Sequence, residues 1–295
     1  MTRRGMVPVV AGIPLVTEVS DDVPFAPIRE PRRWPVDGAE DEPLVYRYEV
    51  GTIPPEVRDS VAPGADRYFV DERGELSFIG HPASLPPRQW LRTVRAGYEY
   101  VVRFESADEM NDWEWLWKRQ LWTYAMAVRH RGLALHCSLF LLPDGRAVAC
   151  PGISGAGKST ISRLLAATAS TTGVQVLADD RAGVVIRPDG SLRAWSTPWY
   201  SNAAMSNPGS GELVALLLLR HGHGASLVPA EQGDISRMLM RTTSLPFWSE
   251  RLMADAFGMV DAMVSATRWW DFHFAPTTDE AAALVPRLLS VLDAS

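Results

Sequence analysis

Nine consecutive residues have the types and spacing of a phosphate-binding loop. They are Gly152-Ile153-Ser154-Gly155-Ala156-Gly157-Lys158-Ser159-Thr160. The run fits G-x-x-x-x-G-K-[ST], in which backbone N–H groups surround a nucleotide's phosphates, the lysine neutralises them and the next hydroxyl reaches Mg²⁺. A glycine-rich connector without a ligand is the alternative. We expect ATP and Mg²⁺ as cofactors, with phosphate contacts from Gly152, Ser154, Gly155, Ala156, Gly157, Lys158, Ser159 and Thr160, and with Ser159 also a metal ligand.

The segments on either side of this glycine-rich loop, Gly152–Thr160, have the patterns that such a loop requires. Arg146–Cys150 is apolar and predicts a strand that enters the loop. Ile161–Ala167 predicts a helix that leaves it. The motif therefore stands in a strand–loop–helix context.

A histidine is predicted to lie at the mouth of the glycine-rich loop. The apolar run Leu133–Leu142 and the strand after it are joined by a Pro-Asp-Gly turn, which predicts a hairpin. If Leu142 faces Arg146 across the turn, His136 falls opposite Gly152, where it would stabilise charge on a transferring phosphoryl group. A register slip of one residue would turn the side chain to the other face. A core histidine is the alternative.

Two adjacent carboxylates end the strand that is predicted after the loop helix. Gly173–Ala178 is followed directly by Asp179 and Asp180. Carboxylates at a strand end downstream of such a loop suit Mg²⁺ capture and deprotonation of an attacking hydroxyl. Neighbouring strand residues point to opposite faces, so one is expected to face the phosphates while the other holds the metal, a backbone N–H or an arginine. A solvated turn pair is the alternative.

The composition of the whole chain excludes several classes of protein. The 295 residues are 46% hydrophobic and carry a net charge of −6, which gives no basic face for nucleic acid. The longest apolar run, Leu213–Leu219, is too short to cross a membrane. Two cysteines, Cys137 and Cys150, are too few for a disulfide scaffold and are expected to be reduced and buried. We expect a cytoplasmic protein without a nucleic-acid or membrane partner.

The chain is predicted to form a β-rich N-terminal domain, residues 1–104, and a catalytic domain, residues 105–295. The first domain has short strand patterns and a linker near residues 29–43. A capping box at Ser106 opens a long helix that is expected to end near His130 with Gly132 as its stop. Its apolar residues form two opposite stripes, so both domains or a second copy in a homo-oligomer must cover it.

The remaining sequence predicts elements but few site residues. A second hairpin spans residues 182–195, a buried strand covers Glu212–Arg220, and residues 233–266 are mostly helical. The strand Trp269–Phe274 and a helix capped by Thr277 complete the chain. Several further residues are weaker candidates: Thr197–Asn202 as an acceptor loop or a connector, His221 and His223 as loop rather than metal ligands, and Arg237, Arg241 and Arg251 as phosphate partners or surface arginines.

Three motifs together resemble a known family of kinases. The order His136-Cys137-Ser138, then Gly152–Thr160, then Asp179-Asp180 resembles the catalytic domain of HPr kinase/phosphorylase and is similar to the nucleotide-binding half of phosphoenolpyruvate carboxykinase. The resemblance covers about residues 130–200. It implies an α/β fold with the P-loop embedded in a mixed β-sheet. It also implies that the aspartate pair supplies a base and a metal contact, with Asp179 as the base and Asp180 as the metal ligand or support, or the reverse.

The sequence departs from that family in one respect. The glycine-rich signature with a glutamate that follows the aspartates, associated with phosphorolysis, is not recognisable, and Glu212 is only a weak candidate for its carboxylate. The substrate HPr and phosphorolysis are therefore not carried over. We expect a kinase that transfers the γ-phosphoryl group of ATP to a serine hydroxyl of a peptide or small protein, with Asp179, His136 and Lys158 as catalytic residues. The alternatives are a kinase of a small hydroxyl compound and a non-catalytic ATP-binding regulatory module.

Overall fold

The computed structural model divides the chain into two compact units. It describes residues 2–4, 9–21, 23–24, 41–55, 68–70, 76–78, 89–129, 132–199, 205–222, 224–246 and 249–294. Unit 1 comprises Met1–Arg129 and Pro246–Leu252, and unit 2 comprises His130–Leu245 and Met253–Ser295.

Unit 1 contains a six-stranded sheet. Its strands are β1 (Thr2–Arg4), β2 (Val9–Val10), β3 (Ile13–Ser20), β4 (Leu44–Val50), β7 (Gln89–Arg95) and β8 (Glu99–Phe104). They run in the order β1-β3-β4-β8-β7, with β2 paired to β3, while β5 (Tyr68–Val70) and β6 (Leu76–Phe78) form a separate pair. The predicted linker at residues 29–43 lies mostly outside the described residues.

The long helix α1 (Ala107–Val128) belongs to unit 1. Three of its hydrogen bonds go to the strands of that unit: Tyr46 Oη donates to Lys118 O, Trp117 Nε1 donates to Gln89 Oε1 and Trp122 Nε1 donates to Val10 O. Trp122 and Met126, from the second apolar stripe, are fully buried. The prediction placed this helix in the catalytic domain. By its contacts the helix belongs instead to unit 1, because aromatic side chains anchor it to the first sheet.

Gly132 has a different role from the predicted one. The helix ends at Val128 with Arg129 as its C-cap, so Gly132 does not stop it. Gly132 instead begins strand β9, where a Cβ atom would lie 1.9 Å from Val184 O on the neighbouring strand. A glycine is needed there because the two backbones approach too closely for any side chain.

Unit 2 is built on a mixed eight-stranded sheet. The strands are β9 (Gly132–Leu141), β10 (Ala147–Pro151), β11 (Gln175–Ala178), β12 (Arg181–Ile186), β13 (Leu192–Ser196), β14 (Ser210–His221), β15 (Ser226–Pro229) and β16 (Arg268–Phe274). Strand β10 pairs antiparallel with β9 on one edge and parallel with β14 on the other, and β14 pairs parallel with β16. The predicted α/β class with a mixed sheet is confirmed.

Four helices cover the two faces of this sheet. They are α2 (Lys158–Thr172), α3 (Gln232–Thr242), α4 (Glu250–Ala266) and α5 (Thr278–Asp293). Ile161 of α2 and Leu284 of α5 share one apolar core with Phe140, whereas residues of α3 and α4 share the other core with Leu135. Burial of a core on each face makes this unit a three-layer α/β/α structure. Among the described residues no helix has the length and apolar character needed to cross a membrane.

The cap of α1 gives a stability prediction. Ser106 Oγ accepts a hydrogen bond from Glu109 N at 3.2 Å. Loss of this cap in Ser106→Ala is expected to destabilise unit 1 by about 1 kcal/mol, because one backbone donor of the first turn loses its partner. Urea unfolding followed by tryptophan fluorescence measures the change. Ser106→Thr retains the hydroxyl and is the matched control, and equal unfolding midpoints for the alanine variant and the wild type would contradict the cap's role.

Candidate functional site

Strand β9 brings the predicted site residues together because it pairs along both of its edges. On one edge Leu142 N donates to Arg146 O across the turn, and Gly152 N donates to His136 O at 3.3 Å. The pairs from Ala147↔Leu141 to Pro151↔Cys137 keep one register throughout. The predicted pairing is therefore confirmed, and His136 lies beside the first residue of the glycine-rich loop.

The aspartate pair lies along the opposite edge of β9. Ala178 of β11 pairs with Leu139, and Arg181 of β12 pairs with His136, so the two aspartates form the short link between these strands. Cys137 N donates to Asp180 O at 3.1 Å and closes this link onto β9. One strand thus holds the start of the glycine-rich loop and the aspartates on its two sides.

The two aspartates have different surroundings. Asp179 is fully buried. The side chain of Asp180 retains 15% exposure, and its Oδ1 lies 3.2 Å from His136 Nε2. Its Oδ2 lies 3.7 Å from Arg181 Nε. Asp180, rather than Asp179, is the carboxylate that faces His136 and retains access to solvent.

The backbone of the glycine-rich loop requires glycine at three positions. A Cβ atom on Gly152 would lie 2.7 Å from the Cβ of Ala156, so a larger residue would force the loop to shift. Gly155 and Gly157 have φ angles of 82° and 94°, in the left-handed region that favours glycine. Gly157 is the N-cap of α2, and Lys158 is the first residue of the helix. The last residues of the loop therefore form a helix N-terminus, where backbone N–H groups are available to an anion.

Lys158 is held inside the loop that precedes it. Its Nζ donates to Gly152 O at 2.7 Å and to Ile153 O at 3.0 Å. Burial lowers the pKa of the Lys158 ammonium below its ordinary value, and the nearby Asp180 carboxylate acts against that shift. The lysine and the aspartate therefore interact electrostatically although they come from different elements.

The serine of the His-Cys-Ser run fixes the start of α2 on β9. Ser138 Oγ donates to Lys158 O at 2.9 Å, and Ser162 Oγ donates to Ser138 Oγ at 2.9 Å. Ser138 is buried, so these bonds replace water that neither hydroxyl can reach. Ser159 and Thr160 lie in this anchored first turn.

The cysteine of the same run is a packing residue. Cys137 is fully buried, and burial raises the pKa of its thiol to about 12. Burial also raises the pKa of the Cys150 thiol above its ordinary value. Both thiols stay protonated at neutral pH, which removes them as nucleophiles. Both are free, as expected.

Several weaker candidates lie outside this site. Glu212 is exposed and precedes Leu213, which pairs with Ala147 at the end of β10 far from Gly152. Arg237 pairs with Asp234 on the surface of α3. His223 and Asn202 are outside the described residues, and within the described part no group of three or more acidic, histidine or cysteine residues has a metal-binding arrangement. Thr197 is buried and donates to Arg181 O, so the start of its segment supports the aspartate link.

No sequence pattern indicated the cleft that lies beside the glycine-rich loop. This cleft has a volume of about 130 Å³ and is lined by Ala156, Gly157, Thr160, Leu219, Arg220, His221, Phe274 and Pro276. Leu219 and Phe274 come from strands that the pattern did predict, but only the parallel pairing of β14 with β10 and β16 brings them to the loop. Arg181 was also missed, although its position directly after the aspartate pair was a usable signal. Its Nη1 donates to Ser244 Oγ at 3.1 Å.

The comparisons with known proteins add little to this geometry. No protein-family model matches the sequence, and no curated protein matches it significantly. Among solved structures, the Hpr(Ser) kinase/phosphatase from Coxiella burnetii aligns with 12% identity and a TM-score of 0.30, covering 54% of this chain and 98% of that one. A likeness of this size assigns neither a fold family nor an activity.

Proposed function

We propose that the protein is an ATP- and Mg²⁺-dependent kinase that transfers the γ-phosphoryl group to an alcohol, a serine hydroxyl of a peptide or small protein. The observation that carries this proposal is the pairing of β9 on both edges. It supports a site in which the glycine-rich loop and Asp180 act on the same phosphate, because His136 contacts both. The resemblance in three motifs supports the choice of acceptor.

The loop would hold the phosphates of ATP. The left-handed glycines direct successive backbone N–H groups to one side, and the N-terminus of α2 adds its partial positive charge. Lys158 Nζ would exchange the carbonyls of Gly152 and Ile153 for phosphate oxygens. Such an exchange would give the buried ammonium a charged partner, and hydrogen bonds between charged groups are stronger than those to carbonyls.

The residues present fit Mg²⁺ by the chemistry of their donors. Mg²⁺ prefers oxygen ligands, keeps several waters and takes one or two carboxylates together with substrate phosphates. Ser159 offers a hydroxyl in the first turn of α2, and the phosphates of the nucleotide and waters would supply the other oxygens. Bound there, the ion would neutralise charge on the phosphates.

We assign the proton acceptor to Asp180, whereas the sequence favoured Asp179 and left the reverse open. The acceptor hydroxyl gives its proton to the carboxylate while its oxygen attacks the γ-phosphorus. The bond from the γ-phosphorus to the bridging oxygen then breaks, and ADP leaves. Asp180 retains some exposure and lies near His136, whereas Asp179 is fully buried. His136 Nε2 lies 3.2 Å from Asp180 Oδ1, so the ring would orient this carboxylate and add a hydrogen-bond donor beside the transferred group.

Transfer of labelled phosphate from ATP tests the assignment. The acceptor panel contains serine peptides, small proteins, free serine and sugars. Asp180→Asn is expected to lower kcat by about 10²–10⁴-fold, the usual effect of losing a general base. A metal-ligand role for Asp180 would instead show as a raised Mg²⁺ requirement. Asp189→Asn, in the exposed turn between β12 and β13, is the matched control and should retain full activity.

Two outcomes of that assay would replace the proposal. Tight ATP binding without transfer to any acceptor would indicate a regulatory module, and turnover only with free serine or sugars would indicate a small-molecule kinase. Undiminished transfer by Lys158→Ala would contradict phosphate binding by the loop.

A second prediction concerns the crowding at Gly152. In Gly152→Ala the new methyl group would lie 2.7 Å from the Cβ of Ala156, so the loop must shift from the geometry that would hold the phosphates. We expect the dissociation constant for Mg²⁺-ATP to rise at least about tenfold, which corresponds to about 1.4 kcal/mol. Titration calorimetry measures it. Gly233→Ala, where nothing lies within 4 Å of the added Cβ, is the matched control. Equal affinities of the two variants would show that the loop does not hold the phosphates.

A further inference from the structure

The cleft described above lies on the other side of the glycine-rich loop from Asp180. Strand β10 leads into the loop, and its two neighbours are β9 and β14. His136 and the aspartate link lie with β9. Leu219, Arg220 and His221 of the cleft lie at the end of β14, and Phe274 ends β16 beside it. The loop therefore has a carboxylate on one flank and a cleft on the other.

Because Asp180 and the cleft lie on opposite sides of the loop, the two ends of a bound nucleotide would meet different surroundings. We infer that the cleft holds the nucleoside end of the nucleotide, so that the triphosphate crosses the loop with its γ-phosphate towards Asp180. The inference rests on the proposed function, because Asp180 fixes the reacting end. In this orientation the α-phosphate would lie near Thr160, and the ring of the nucleoside base would lie between Leu219 and Phe274.

The walls of the cleft suit a flat, uncharged ring. Leu219, Phe274 and Pro276 supply apolar surface. Phe274 is 5% exposed and stacks on Phe272 with ring centroids 4.9 Å apart, so its position is fixed by the core. A volume of about 130 Å³ is well below the ~300–1,000 Å³ of pockets that enclose a drug-sized ligand, so the cleft accepts part of a nucleotide and leaves the rest on the loop.

The charge at the rim argues against a second phosphate site. Arg220 Nε lies 2.7 Å from Asp271 Oδ1, and its Nη2 lies 3.4 Å from Asp234 Oδ2. Asp271 thus pairs with Arg220, and Asp234 is shared between Arg220 and Arg237, so the arginine among the described lining residues already has carboxylate partners. A neutral ring or a ribose hydroxyl fits this rim better than an anion does.

Glu280 holds the turns that frame the cleft. Its Oε2 accepts from Ala275 N at 2.6 Å and from Ala225 N at 3.2 Å, while its Oε1 accepts from Gly224 N at 3.1 Å. One carboxylate therefore ties the segment after β16 to the segment after β14. Glu280 is therefore a positioning residue for the segments that form both walls.

Comparison of ATP with inorganic tripolyphosphate tests the inference, because both carry the phosphates but only ATP carries a nucleoside. Leu219→Trp and, on the opposite wall, the exposed Pro276→Trp would fill the cleft. Each is expected to weaken Mg²⁺-ATP binding at least about tenfold in calorimetry. Each should leave the dissociation constant for tripolyphosphate within about twofold. Val228→Trp, at an exposed position of β15 outside the cleft, is the matched control.

The outcomes separate this inference from the proposed function. If both tryptophan variants bind ATP like the wild type, the nucleoside lies elsewhere and the inference is wrong. If both variants lose affinity for ATP and for tripolyphosphate to the same extent, the substitutions disturb the phosphate loop, and the inference is again wrong. If Lys158→Ala binds ATP and tripolyphosphate as well as the wild type, the proposed function fails first.

Discussion

The candidate site depends on one strand that is paired along both edges. The hydrogen bond from Gly152 N to His136 O ties the glycine-rich loop to one edge of β9, and the bond from Cys137 N to Asp180 O ties the aspartate link to the other. These residues lie far apart in sequence, yet the ladder fixes their spacing without any help from side chains. Ser138, which is buried on the same strand, anchors the first turn of α2. The loop is therefore fixed at both its start and its end.

Four charged side chains lie close together beside β9, where they are partly or fully buried. Lys158 and Arg181 supply two cations beside Asp179 and Asp180, and burial lowers the pKa of the lysine while Asp180 opposes that shift. Under the proposed function, these two cations would face the net negative charge of Mg²⁺-ATP. Fixed charges of this kind stabilise phosphoryl transfer because they need not reorganise during the reaction.

The sequence predicted the local parts of this arrangement and missed the long-range ones. A three-residue turn set the register that places His136 opposite Gly152, because antiparallel pairing carries a turn's register along the whole hairpin. The glycines, Lys158 and the aspartate pair follow from residue type and spacing. The unequal burial of Asp179 and Asp180, the assignment of α1 to unit 1 and the cleft at Leu219 and Phe274 do not. Each depends on which distant elements pack together, and no local pattern contains that information.

The central claim is that the triphosphate lies across the glycine-rich loop with its γ-phosphate on the β9 side. A crystal structure with Mg²⁺ and a non-hydrolysable ATP analogue tests this most directly. We expect β- and γ-phosphate oxygens within about 3.2 Å of Lys158 Nζ and of the loop N–H groups, with the γ-phosphate beside Asp180. A triphosphate that runs in the opposite direction, or that binds away from the loop, would contradict it.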